Sequence, residues 1–233
     1  MLLSIIRQNQ KLAAKRNPAF DRNRFAKFLI YFMVAFWAAY LIFIGVMLSF
    51  AFEDIFPSME PYHIMNQGLI YLLILDFLLR FMLQPAMSQE IKPYLLMPIK
   101  KNKLVDTLLL QSGISSYNFF WFFLIVPFAL LTIIRFYGFT GILCYLCGIW
   151  LLMAMNSYWY LICKTLLNEK LLYILLPIGV YGLLAGTEFI PEGNPVSTFM
   201  MNLGEGFIEG NILAFLGVIA AILLLSLIHI SEP

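Results

Sequence analysis

Charge is what this chain has least of. Only 12% of its 233 residues are Asp, Glu, Lys or Arg, against roughly 25% in soluble domains, so a soluble globular fold is a poor reading. Histidine is nearly absent too. His63 and His229 have no ligand-spaced neighbours, and this argues against a metal centre. The three cysteines, Cys144, Cys147 and Cys163, fall within one apolar run, which implies no disulfide framework. Cys144 and Cys147 spell C-x-x-C inside GILCYLCGIW with no acid or histidine nearby, so they read as small helix-packing residues. The chain contains no G-x-x-x-x-G-K-[ST] phosphate loop, no H-E-x-x-H and no G-x-S-x-G. We therefore expect no catalytic constellation, no cofactor and no enzyme activity.

What the chain does have is long apolar runs. Phe28 to Phe52 is 25 residues without a charge, and about 20 suffice for a helix to cross the hydrocarbon core. Further runs at 65–83, 107–134, 139–163, 171–190 and 211–228 predict an all-α, polytopic transmembrane bundle of about six spans. The first run is too long for a signal peptide core of 7 to 15 residues, so it is expected to stay as a helix.

The basic residues alternate with these runs. Thirteen of the 15 lysines and arginines lie in three segments: residues 1–27, the stretch between the second and third runs, and Lys164 with Lys170. The segments 53–66 and 191–210 hold none. Cytoplasmic loops retain Lys and Arg, so the N-terminus and the second and fourth loops read as cytoplasmic, in a bacterial inner membrane. The same sorting by membrane side argues against nucleic acid as a partner, despite the net charge of +2.

Residues 1–27 read as a cytoplasmic segment in which Leu2, Leu3, Ile5, Ile6, Leu12 and Ala13 alternate with Arg7, Lys11, Lys15 and Arg16. This pattern suits an amphipathic helix at the lipid surface. Residues 28–228 form the transmembrane domain. The loops 53–66 and 188–210, with their acids, prolines and glycines, suggest ordered turns or short re-entrant pieces.

Inside the second run Asp76 and Arg80 are i,i+4 neighbours on one helix face. Each alone at the bilayer centre costs about 2.5–3.5 kcal/mol, so the pair is expected to satisfy itself facing the bundle interior. A proton or substrate relay is the competing reading. Gly182 and Gly186 form a small-xxx-small step, expected to pack against another helix of the same chain rather than a second copy.

The loop QPAMSQEIKPYLLMPIKKNKLVD, Gln84 to Asp106, is too apolar for a solvated tether and too charged to span. It should rest on the inner surface or dock a partner. Following a span with an embedded Asp and Arg, the stretch Ile91 to Val105 resembles an uncharacterised bacterial family, typical of Bacteroidetes, whose members look like permease subunits of ABC export systems. The resemblance implies a membrane permease energised by a separate ATPase subunit, working as a homodimer or with a second permease. It implies that Glu90, Lys92, Pro93, Tyr94, Pro98, Lys100 and Lys101 form the ATPase-coupling element. A non-transporting assembly or scaffold protein is the alternative. Members of that family are longer, and the ending SLIHISEP looks like adapter read-through. We expect a truncated gene product whose residues 229–233 are a doubtful tail and in which Ser226 to Pro233 carry no function.

Overall fold

The computed structural model describes residues 24–84, 101–187 and 194–231, together with Ile6, Gln8, Asn9 and Leu12 near the N-terminus. Among the described residues the fold is all-helical.

Helix α1 (Arg24–Ile55) is 32 residues long. Pro61 at a first helical position starts α2 (Pro61–Gln67), and Gly68 separates it from α3 (Leu69–Leu83) with a 48° bend. After residues 85–100, which lie outside the described residues, come α4 (Lys101–Gly113), the short α5 (Ser116–Phe120) and α6 (Phe122–Leu131). A 59° bend at Trp121 divides the last two. Helix α7 (Ile134–Glu169) runs 36 residues, with a kink at Gly138, whose φ of +63° favours glycine. A 3-10 turn (Leu171–Ile174) leads into α8 (Leu175–Gly186).

Asn194 caps α9 (Pro195–Ile208) by accepting from Val196 N and Ser197 N at 3.0 and 3.2 Å. Gly210, at φ +72°, then turns the chain, and Asn211 accepts from Leu213 N at 3.0 Å to start α10 (Ile212–Ser231). The two helices meet at 115°. Within the segment that holds no lysine or arginine, α9 is thus a helix folded back on the bundle, seated against α2 and α7.

Apolar helices long enough to span a membrane are present. Lys27–Ile55 and Ile134–Glu169 qualify alone, and counting each bent pair as one span raises the number to five. Leu171–Gly186 is shorter than 18 residues, so the fifth expected span, 171–190, is not long enough to cross among the described residues. Many large apolar side chains face outward, including Phe28, Phe32, Phe36 and Trp37 on α1 and Leu213, Leu224 and Leu227 on α10. Exposure on this scale suits lipid rather than water.

Helix α7 is the central post, packing against α3, α4, α5, α6, α9 and α10. Its N-terminal half joins Leu69, Leu73, Phe128 and Phe207 in one apolar cluster around Tyr145, Ile149 and Met153. Its C-terminal half joins Phe77, Leu104 and Leu109 in a second, around Tyr160, Leu161 and Cys163. Ile6 is fully buried in this second cluster, while Gln8 and Asn9 are exposed.

The closest helix contacts are made at glycines other than the expected pair. A Cβ at Gly45 of α1 would stand 2.2 Å from the Leu124 carbonyl oxygen of α6. One at Gly148 would meet the Phe207 ring at 2.2 Å, and one at Gly204 would meet the Asn66 amide carbon at 2.3 Å. At Gly182 and Gly186 a Cβ would meet nothing within 4 Å. The intramolecular packing anticipated for that step is therefore not made among the described residues, because α8 turns this face away from its neighbours. Gly45→Ala should destabilise the protein by about 1–3 kcal/mol through overpacking against a backbone atom. Gly182→Ala should be neutral or stabilising, since it only improves helix propensity. Unfolding of the two variants in detergent micelles checks the contrast.

Candidate functional site

Along α3 the apolar side of the helix is broken by Asp76 and Arg80, and along α7 by Asn156 and Ser157. All four are at most 3% exposed. The breaks coincide in space. Leu73 and Met153 belong to the first apolar cluster and Phe77 and Tyr160 to the second, so the polar groups lie where the two clusters meet.

Arg80 donates from Nε to Asp76 Oδ2 at 2.7 Å, closing the i,i+4 pair. Its Nη2 donates to Asn118 Oδ1 of α5 at 2.7 Å. Asp76 Oδ1 accepts from Trp121 Nε1 at 2.8 Å, and Oδ2 accepts a second bond from Asn156 Nδ2 at 2.7 Å. Asn156 Nδ2 also reaches the Leu73 carbonyl at 3.0 Å, and its Oδ1 accepts from Tyr181 OH of α8 at 2.7 Å. Asn118 Nδ2 donates to the Ser112 carbonyl at 3.2 Å, beside a Ser112–Ser157 hydroxyl contact of 2.6 Å. Buried polar groups are stabilising only when satisfied. Here nearly all are, Arg80 Nη1 being the exception, with no partner among the described residues.

The joint therefore ties α3 to α5, α7 and α8 and to Trp121 at the α5–α6 bend. Three donors occupy the Asp76 oxygens, and no second acid or histidine stands among its partners. Among the described residues its partners therefore offer no acid or histidine as a next acceptor for a proton relay. As arranged, the group is an orienting joint.

Two further polar contacts lie at the end of the bundle that holds α2. Tyr145 OH donates to Asn66 Oδ1 at 2.9 Å, under the close approach of Gly204. His63 Nδ1 pairs with Glu205 Oε1, joining α2 to α9. His63 borders an open cleft of about 390 Å³ with Pro57, Ser58, Met59, Glu60 and Met201. Among the described residues no group of three or more His, Cys, Asp or Glu could hold a metal. An exposed pair, Arg135 Nη1 to Glu53 Oε1 at 2.7 Å, links α7 to α1.

A protein-family profile matches residues 10–231. The chain belongs to DUF5687, a family of unknown function. No curated protein and no solved structure matches it.

Of the positions that the sequence singles out in this DUF5687 chain, Asp76 and Arg80 are brought together at the joint. Glu90, Lys92, Pro93, Tyr94, Pro98 and Lys100 lie outside the described residues, and Lys101 opens α4 with only its backbone described. Cys144 and Cys147 lie on α7 as free thiols, and Cys163 is free and buried in the second cluster. Sequence reasoning missed Asn118, Trp121, Asn156 and Tyr181. The Asn156-Ser157 step within an apolar run was a readable signal, whereas nothing local ties Asn118 to a residue 38 positions earlier. The His63–Glu205 pair was equally hidden, spanning 142 positions.

Asp76→Ala strands a buried guanidinium and should cost about 3–5 kcal/mol. Combining Asp76→Leu with Arg80→Met should recover most of that loss. Denaturation of the purified variants in micelles measures both. A double variant no better than the single one would mean that the charges themselves, and not their mutual compensation, maintain the bundle.

Proposed function

We propose that the protein is the membrane-spanning permease subunit of an ABC-type export system in a bacterial inner membrane, with its N-terminus inside, energised by a separate ATPase subunit. The observation that carries this reading is the path out of the loop Gln84 to Asp106. That segment enters from α3 and leaves through α4, and both helices reach the joint, where Arg80 of α3 bonds Asn118 of α5 and Asn118 bonds the Ser112 carbonyl of α4. Asn156 and Tyr181 extend the same joint to α7 and α8. A force applied to the loop from the cytoplasm would reach four helices through short, buried bonds.

The remaining support is chemical. The loop mixes Lys92, Lys100, Lys101 and Lys103 with Tyr94, Leu95, Leu96 and Met97, a composition suited to a protein surface. The chain has no phosphate loop of its own, which fits a subunit that borrows ATP hydrolysis. Ile6 is buried against α3, α4 and α7 residues at the same end of the bundle. ATP-driven closure of the partner dimer would push on the loop and tilt the spans between inward-open and outward-open states. The aromatic, apolar spans favour a lipophilic or amphipathic cargo. A homodimer or a second permease would complete the pathway.

Recovery of the tagged protein from its native host in mild detergent, followed by mass spectrometry, tests the reading. An ATP-binding subunit should come with it. Lys100→Glu combined with Lys101→Glu should abolish that association while leaving membrane insertion intact. Recovery without any ATPase would favour a non-transporting assembly or scaffold protein.

A further inference from the structure

We propose that Lys164 and Tyr160 of α7 are positioning residues that clamp the exit of α3, and so hold the root of the Gln84 to Asp106 loop to the central helix. For what the loop contacts, this rests on the permease reading; the clamp itself rests on geometry alone.

A helix ends with four carbonyls that have no partner within it. At the end of α3 the Gln84 amide closes onto the Arg80 carbonyl at 2.8 Å. The next carbonyls are met from another helix. Lys164 Nζ donates to the Phe81 carbonyl at 2.9 Å and to the Gln84 carbonyl at 2.7 Å. Tyr160 OH donates to the same Gln84 oxygen at 2.6 Å. Lys164 and Tyr160 are one turn apart on α7, so both reach the same spot. The ammonium also lies 5.1 Å from the Phe81 ring centroid and 5.4 Å from that of Tyr160, which adds cation–π attraction.

The chemistry explains why a lysine stands here. A cation at a helix C-terminus is favoured by the partial negative charge of the terminal carbonyls. No carboxylate pairs with Lys164 in the described structure, so carbonyls and rings are what compensate its charge. An ordinary capping residue sits on its own helix. This one spans 80 positions to Gln84, and it does so at the last described residue before the loop. From sequence alone Lys164 reads only as one of the basic residues that orient the chain. Its place in the structure gives it a second task, as a direct link from the loop to α7 that bypasses the Asp76 joint.

The test uses the full chain in detergent micelles, with hydrogen–deuterium exchange read on peptides covering Phe81 to Gln84, the following loop, and the rest of α3 and α7. Lys164→Met keeps the length of the side chain and removes its donors. It should speed exchange at the Gln84 amide about tenfold or more, the scale expected for losing hydrogen bonds from a charged group. The rest of α3 and α7 should be unchanged, and Lys164→Arg should restore protection. Tyr160→Phe should produce the same local release, weaker. Unchanged exchange in Lys164→Met overturns the proposal. So does a uniform acceleration over both helices, because Lys164 would then hold the fold and not the loop root. If Lys164→Met yields no folded protein, Tyr160→Phe decides by the same criterion. ATPase recovery is followed on the same variants. A wild-type protein that never recovers an ATPase sinks the permease reading and leaves the exchange result standing, whereas normal recovery with unaltered exchange sinks the clamp alone.

Discussion

The arrangement of this bundle depends on a single buried ion pair. Between helices in lipid the hydrophobic effect gives no preference for one face over another, since acyl chains are as apolar as leucine. Directional bonds must decide which side of each helix looks inward. Asp76 and Arg80 do this because neither is tolerable alone in an apolar interior, and each must be surrounded by donors or acceptors of the right sense. Asn118, Trp121 and Asn156 meet that requirement directly, and Tyr181 by holding Asn156. Each supplies its bond only at one rotation and one height of its helix. The relative register of α3, α5, α7 and α8 follows.

Away from this centre the ties change character. Gly45, Gly148 and Gly204 let backbones or rings approach where any side chain would collide. This sets spacing without setting direction. At the end of the bundle that holds α2, the Arg135–Glu53 pair is about half exposed, and exposed pairs contribute about 0–1 kcal/mol. The His63–Glu205 pair is about a quarter exposed. The bundle is thus registered through its middle by buried bonds, and where α2 meets α9 chiefly by the close packing of Gly204 on Asn66, with the His63–Glu205 pair beside it.

The sequence was most informative where one physical quantity dominates. Hydropathy over 20-residue windows located α1, α3, α7 and α10, because a helix facing lipid is apolar along its whole length. It did not reveal the bends at Gly68, Trp121 and Gly210, since an apolar helix and an apolar corner have the same composition. It read 188–210 as ordered turns or short re-entrant pieces without bounding a helix there, although Asn194-Pro195 and Gly210-Asn211 are the start and stop signals of α9. The Asp76–Arg80 pair was legible because its partners are four residues apart on one helix. Its neutral partners were not, because packing and not spacing brings them together. The Gly182–Gly186 motif shows the reverse: a recognisable local pattern with no tertiary partner among the described residues.

The lengths of α1 and α8 bear on how a bilayer would fit around this chain. The uncharged part of α1, 25 residues from Phe28 to Phe52, extends about 38 Å at about 1.5 Å per residue, beyond a hydrocarbon thickness of about 30 Å. Leu171–Gly186, at fewer than 18 residues, extends less than about 27 Å. In a bilayer of that thickness α1 would lean or protrude, and if α8 spans with its described length alone, the lipid beside it would thin. A lipid sheet around this protein would be asymmetric, and bilayer thickness would shift its preferred tilt.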